Sequence, residues 1–186
     1  MKKQFIIMMA SVLMLVGSGQ VMAVTQYTIT DLGTLGGSYS YATGINNSGQ
    51  VVGQSLTTGD SALHAFLYDG TTMNDLGTLG GSYSYANDIN DSGQVVGYSS
   101  TTGDSAQHAF LYDGTTMKDL GTLGGSYSSA LSINDSGQVV GQSRLTDNST
   151  DHAFLYDGGN MIDLNTLLPA GTGWELQNAT GIITIQ

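Results

Sequence analysis

Three histidines, His64, His108 and His152, stand 44 residues apart, and each opens the tripeptide His-Ala-Phe. Imidazole is the commonest metal ligand among side chains. A metal site, however, needs ligands that converge within about 2 Å of one ion. Equivalent positions on successive repeats are rotated away from one another, and no His has a Cys or a second His at ligand spacing. Each ring is therefore expected to tie its own repeat together by hydrogen bonds beside the Phe. The turns Asn90-Asp91-Ser92-Gly93 and Asn134-Asp135-Ser136-Gly137 have the composition of calcium loops. Yet a calcium loop alternates several carboxylates, whereas one Asp stands in each turn here, and Asn47 replaces it in the first copy. These turns, with Asp69, Asp113 and Asp157 before Gly, read as hairpins. No metal and no cofactor is assigned.

The Gly-Gly-Ser-Tyr-Ser loops carry the best candidates for a binding site. They hold Tyr39 and Tyr41, Tyr83 and Tyr85, and Tyr127, with Ser129 replacing the second Tyr in the third copy. Tyr supplies rigid contact area and Ser and Gly supply adaptable hydrogen bonding, the make-up of binding loops. The competing reading is that Tyr41 and Tyr85 begin an inner strand and are core. The GTLGG stretch lacks the Lys and the helix of a phosphate loop.

Catalytic groups are scarce. No Ser-His-Asp set lies outside the repeats, and Glu175 is the only Glu. Residues present in every copy are spent on the fold, while active sites break symmetry. The least symmetric stretch is Arg144–Asp151 (RLTDNSTD), which holds the only Arg.

The elements that position these residues follow from one period. Asp31–Asn74 recurs as Asp75–Lys118 with seven of 44 positions changed, then more loosely as Asp119–Ile162, and a partial fourth copy occupies 163–186. A fixed period of this length means one supersecondary unit per copy. In the first copy Tyr41–Asn46, Gln50–Leu56, Leu63–Asp69 and Thr72–Leu76 are short apolar or β-branched runs. Asn-Ser-Gly and Asp-Gly turns join them, and these dipeptides supply the positive φ that hairpins need. Nothing repeats at 3.6. The expectation is an all-β chain of tandem ~44-residue four-stranded antiparallel units, β-propeller-like. Val24–Leu32 and Leu176–Ile182 read as one further strand at each end. Three units with open ends leave apolar faces and edges uncovered, so the array is expected to be incomplete or open and to form homo-oligomers.

Lys2 and Lys3, the apolar run Phe5–Val16, and Val21 and Ala23 before a cut read as a signal peptide over 1–23. Residues 24–186 then form a single repeat domain that keeps two cations, Lys118 and Arg144, against fifteen acids. Such an excess of negative charge argues against nucleic acid and anionic membrane surfaces. The absence of Cys leaves a secreted domain to be held by sheet pairing alone.

The His-Ala-Phe triplets, each followed by Phe-Leu-Tyr-Asp-Gly and preceded by an INxSGQVVG motif, resemble the HAF-repeat family of extracellular bacterial proteins. The likeness spans nearly all of Gln26–Ile182. It implies a secreted or surface-exposed tandem-repeat protein and carries over no catalytic activity. The expectation is a non-enzymatic extracellular module that binds an unknown ligand, a glycan or a protein. The alternative is a propeller-type glycan hydrolase or lyase, which would need two carboxylates ~5–10 Å apart in a cleft.

Overall fold

The computed structural model describes residues 6–11 and 26–184, and most of the proposed signal peptide lies outside them. The first strands are β1 (Ile6–Ser11) and β2 (Gln26–Thr30), an antiparallel pair that forms a sheet of its own. Then follow β3 (Gly36–Ile45), β4 (Val51–Thr57), β5 (Leu63–Tyr68) and β6 (Met73–Asp75). Next come β7 (Gly80–Ile89), β8 (Val95–Thr101), β9 (Gln107–Tyr112) and β10 (Met117–Gly121). The last are β11 (Gly124–Ile133), β12 (Val139–Leu145), β13 (Asp151–Tyr156) and β14 (Met161–Asp163). The chain is all-β, with short 3-10 turns and no α-helix among the described residues. No described helix is long and apolar enough to cross a membrane.

Strands β3 to β14 make one open, mixed sheet of 12 strands. Each consecutive set of four is antiparallel throughout. The sets are joined by single parallel pairings, Leu63 with Tyr83 and Gln107 with Tyr127.

Local chemistry explains the turns. Asn46 Oδ1 accepts from the amides of Ser48 and Gln50 at 3.1 and 3.0 Å, and Gly49 takes the left-handed conformation that closes the turn. Asp69 Oδ1 likewise accepts from the Thr71 and Thr72 amides at 2.9 and 2.8 Å before β6.

The first strand of each set is longer than the run read from sequence. It begins at Gly36, Gly80 and Gly124 rather than at the second Tyr position. Two register shifts bend it, and a distant carboxylate extends it: Asp60 Oδ1 accepts from Ser38 N at 2.7 Å. Just before the second shift the paired backbones nearly touch. A Cβ on Gly53, Gly97 or Gly141 would strike the carbonyl oxygen of Tyr41, Tyr85 or Ser129.

The core lies between the sets. Val52, Ala65 and Leu76 pack with Ala86, Ile89, Val95 and Phe110. Val96, Ala109 and Leu120 do the same with Ala130, Ile133, Val139 and Phe154. Phe66, Phe110 and Phe154 are fully buried, each contributing roughly 1.5–3 kcal/mol by transfer from water.

Of the two further strands expected at the ends, one is present and one is corrected. The N-terminal strand is found as Gln26–Thr30, paired with β1 rather than with any set. The outer positions are already filled by β6, β10 and β14. Leu176–Ile182 is no strand but an extended segment docked on the third set through isolated bonds. Leu176 O accepts from Ala153 N at 2.7 Å, and Ala179 N donates to Gly141 O at 3.3 Å.

Candidate functional site

The first strands carry the Tyr residues, and strand register decides what stands beside each. Tyr41 pairs with Gln54, Tyr85 with Tyr98, and Ser129 with Gln142. Directly paired residues share a face of the sheet. Tyr39 and Tyr41 are the most open, 36% and 39% exposed. Tyr83 meets Tyr85 edge to face at 5.9 Å, and Tyr85 stacks on Tyr98 at 4.7 Å with planes 18° apart. Tyr127 lies under the Arg144 guanidinium at 5.1 Å, and its hydroxyl accepts from Gln142 Nε2 at 3.1 Å.

The rings form one neighbourhood. Burial, then Tyr85, Tyr127 and Tyr83, push the Tyr98 phenol up to about 12. Burial, then Tyr83 and Tyr39, raise Tyr85. Tyr83, Tyr85 and Tyr98 of the second set thus form one ring cluster, and Tyr127 of the third set lies against its own guanidinium and amide partners. The Tyr83 hydroxyl donates to Gln107 Oε1 at 3.1 Å, while Gln54 Oε1 is buried and accepts from no group among the described residues. The Tyr positions differ in exposure: Tyr41 is exposed, whereas Tyr85 is half-buried.

Tyr98 was not among the residues singled out from the sequence. Its signal was available, since Gln54 to Tyr98 is one of the seven changes between the first two copies. A change that adds a ring opposite an existing Tyr marks a stacked pair only once the register is fixed.

The histidines do not converge. His64 Nδ1 bonds the Asp75 carboxylate at 2.9 Å, His108 bonds Asp119 at 2.8 Å, and His152 bonds Asp163 at 2.7 Å. Each thereby ties the third strand of its set to the fourth. Among the described residues no three His, Cys, Asp or Glu stand where they could hold a metal ion.

The displaced carboxylates all move one way. Backbone donation from Thr72, then the Thr71 hydroxyl and amide, holds Asp69 well below the usual range. Thr116 and Thr115 do the same for Asp113, and the Thr150 hydroxyl leads for Asp147. Burial opposes the shift at Asp163, but donation from His152 and Asn165 outweighs it and lowers that group too.

Residues 84–183 match the family described as Protein of unknown function (DUF3466). The chain belongs to this family. The matched stretch contains Tyr85, Tyr98 and Tyr127, together with the docked segment up to Ile183. No curated protein and no solved structure matches the chain.

Proposed function

We propose that this is a secreted, non-enzymatic repeat protein of the HAF-repeat kind, an open β-propeller whose tyrosines bind an extracellular neutral glycan. The three antiparallel four-stranded sets, each joined to the next by a single pairing, support reading them as blades. The observation that carries the function is the tyrosines of the first strands: Tyr39 and Tyr41 are exposed on the first set, Tyr83, Tyr85 and Tyr98 form a ring cluster on the second, and Tyr127 lies under Arg144 on the third. Phenol faces pack against the C–H faces of sugar rings. Side-chain amides paired with the first strands, Gln54 opposite Tyr41 and Gln142 opposite Ser129, suit their hydroxyls. A net charge of −11 repels acidic polymers and favours a neutral one.

A general acid needs a carboxyl raised toward neutrality. The displaced carboxylates move in the opposite direction, which favours binding over hydrolysis.

Affinity electrophoresis in gels of neutral polysaccharides, preceded by a glycan array, tests the reading. Tyr39→Ala and Tyr41→Ala are expected to weaken retention several-fold without moving the melting temperature, because both rings are exposed. Tyr83→Phe keeps the ring and loses the hydroxyl bond to Gln107, so retention changes less. A blank array with folded protein overturns the proposal.

A further inference from the structure

The two junctions between sets use the same chemistry. Ser84 Oγ accepts from Ala65 N of the preceding set at 2.8 Å and donates to Gly77 O. Ser128 Oγ accepts from Ala109 N at 2.8 Å and donates to Gly121 O. Ser40, at the same position of the first set, donates to Gly33 O at 2.8 Å but receives no donor among the described residues. Behind it Ile45 is 46% exposed, whereas Ile89 and Ile133 are 5% and 6% exposed. The first strand of the first set therefore presents the receiving half of a junction with no donating set on it among the described residues.

The donating half exists at the other end of the sheet. Val140, Ala153 and Leu164 repeat, type for type, the Val52, Ala65 and Leu76 that pack on the second set. Here the segment 174–184 occupies the place. Leu176 O takes the Ala153 amide, and Ile183 O takes Asn134 Nδ2 at 3.4 Å. Ala179-Thr180-Gly181-Ile182 is the same tetrapeptide as Ala42-Thr43-Gly44-Ile45 of β3. The segment thus imitates a first strand. Trp174 and Ile183 remain 77% and 79% exposed.

We propose that the uncovered face of β3 docks the third set of a second copy, head to tail, and that residues 174–184 compete for that set as an internal cap. The docking surface continues the interface that already joins the sets within one chain. A second copy offers the identical residue types at each position, and the cap must leave before it can seat.

Sedimentation of the purified protein over a concentration series tests this, with two charged substitutions. Ala179→Arg should loosen the cap, because Ala179 is the part-buried residue whose amide holds the segment to Gly141 O. It is expected to lower the concentration for association about tenfold, as a larger fraction becomes competent. Ala42→Arg should abolish association, alone or combined with Ala179→Arg, and keep the parent melting temperature. A cross-link gives a readout independent of these variants. Leu63 pairs with Tyr83 and Gln107 with Tyr127, so Asp151 of one copy should pair with Tyr39 of another. Chains carrying Tyr39→Cys and Asp151→Cys, mixed in a protein otherwise free of Cys, should form the mixed disulfide in excess over either homodimer. No excess of the mixed disulfide, or association that survives Ala42→Arg, overturns the proposal.

Discussion

Asn46 Nδ2 donates to the carbonyl oxygen of Asn90, 44 residues further on, at 3.0 Å. Asn90 repeats the bond to Asn134 O at 3.1 Å, and Asn134 directs the same group at Ile183 O. Each Asn also closes its own turn, donating to Gln50, Gln94 or Gln138 Oε1 at 2.8 Å. One amide side chain thus shapes the local turn and fastens its set to the next.

Asn90 is 4% exposed, so Asn90→Ala strands its buried partners and should cost about 1–3 kcal/mol. Urea denaturation should show a lower midpoint at unchanged slope. Asn46→Ala, at a more open position, should cost less. Equal losses would mean that the bonds between sets contribute nothing beyond the turn.

The junction serines allow an internal comparison. Ser84→Ala leaves the fully buried Ala65 without its amide partner and should cost about 1–3 kcal/mol. Ser40→Ala removes a single bond at an open edge and should stay within about 0.5 kcal/mol. Thermal melts of the two variants side by side decide the matter, and a Ser40 loss as large as that of Ser84 contradicts it.

Stability against pH follows the sign of the carboxylate shifts. Asp69, Asp113 and Asp147 lie below their ordinary value of 3.8 when folded. Their contribution is therefore complete above that value and disappears as pH falls through the depressed folded values. The urea midpoint should stay level from pH 7 to about 5 and decline only below about 4. These carboxylates are exposed, so the decline should be shallow, and Asp69→Asn with Asp113→Asn should flatten it further. A midpoint already falling between pH 7 and 5 would assign the loss to other groups.

Close packing between β3-type and β4-type strands gives a steric prediction. Gly97→Ala drives a methyl into the Tyr85 carbonyl, a backbone atom that cannot swing aside. The variant should lose several kcal/mol or fail to fold, in line with severe overpacking. Gly114→Ala, with open space around it but a positive φ, should lose about 1–3 kcal/mol through backbone strain alone and still fold. Comparing soluble yield and denaturation midpoint separates the two causes, and a well-folded Gly97→Ala variant would refute the close approach.

The amino-acid sequence by itself determined the period, the all-β class and the turns. Each of these rests on interactions within a few residues, such as Asn46 Oδ1 with Gln50 N or Asp69 Oδ1 with Thr71 N. It also marked Tyr39, Tyr41, Tyr83, Tyr85 and Tyr127 by composition. Only the tertiary structure decided that the strands start at Gly36, Gly80 and Gly124, because the bond from Ser38 to Asp60 spans 22 residues. Only packing between sets placed Ala86 against Val52, and only cross-strand register put Tyr98 on Tyr85. The docking of 174–184 where a fourth first strand would lie was likewise invisible in one dimension. Those contacts join residues tens of positions apart, and which faces meet depends on how whole sheets bend and stack.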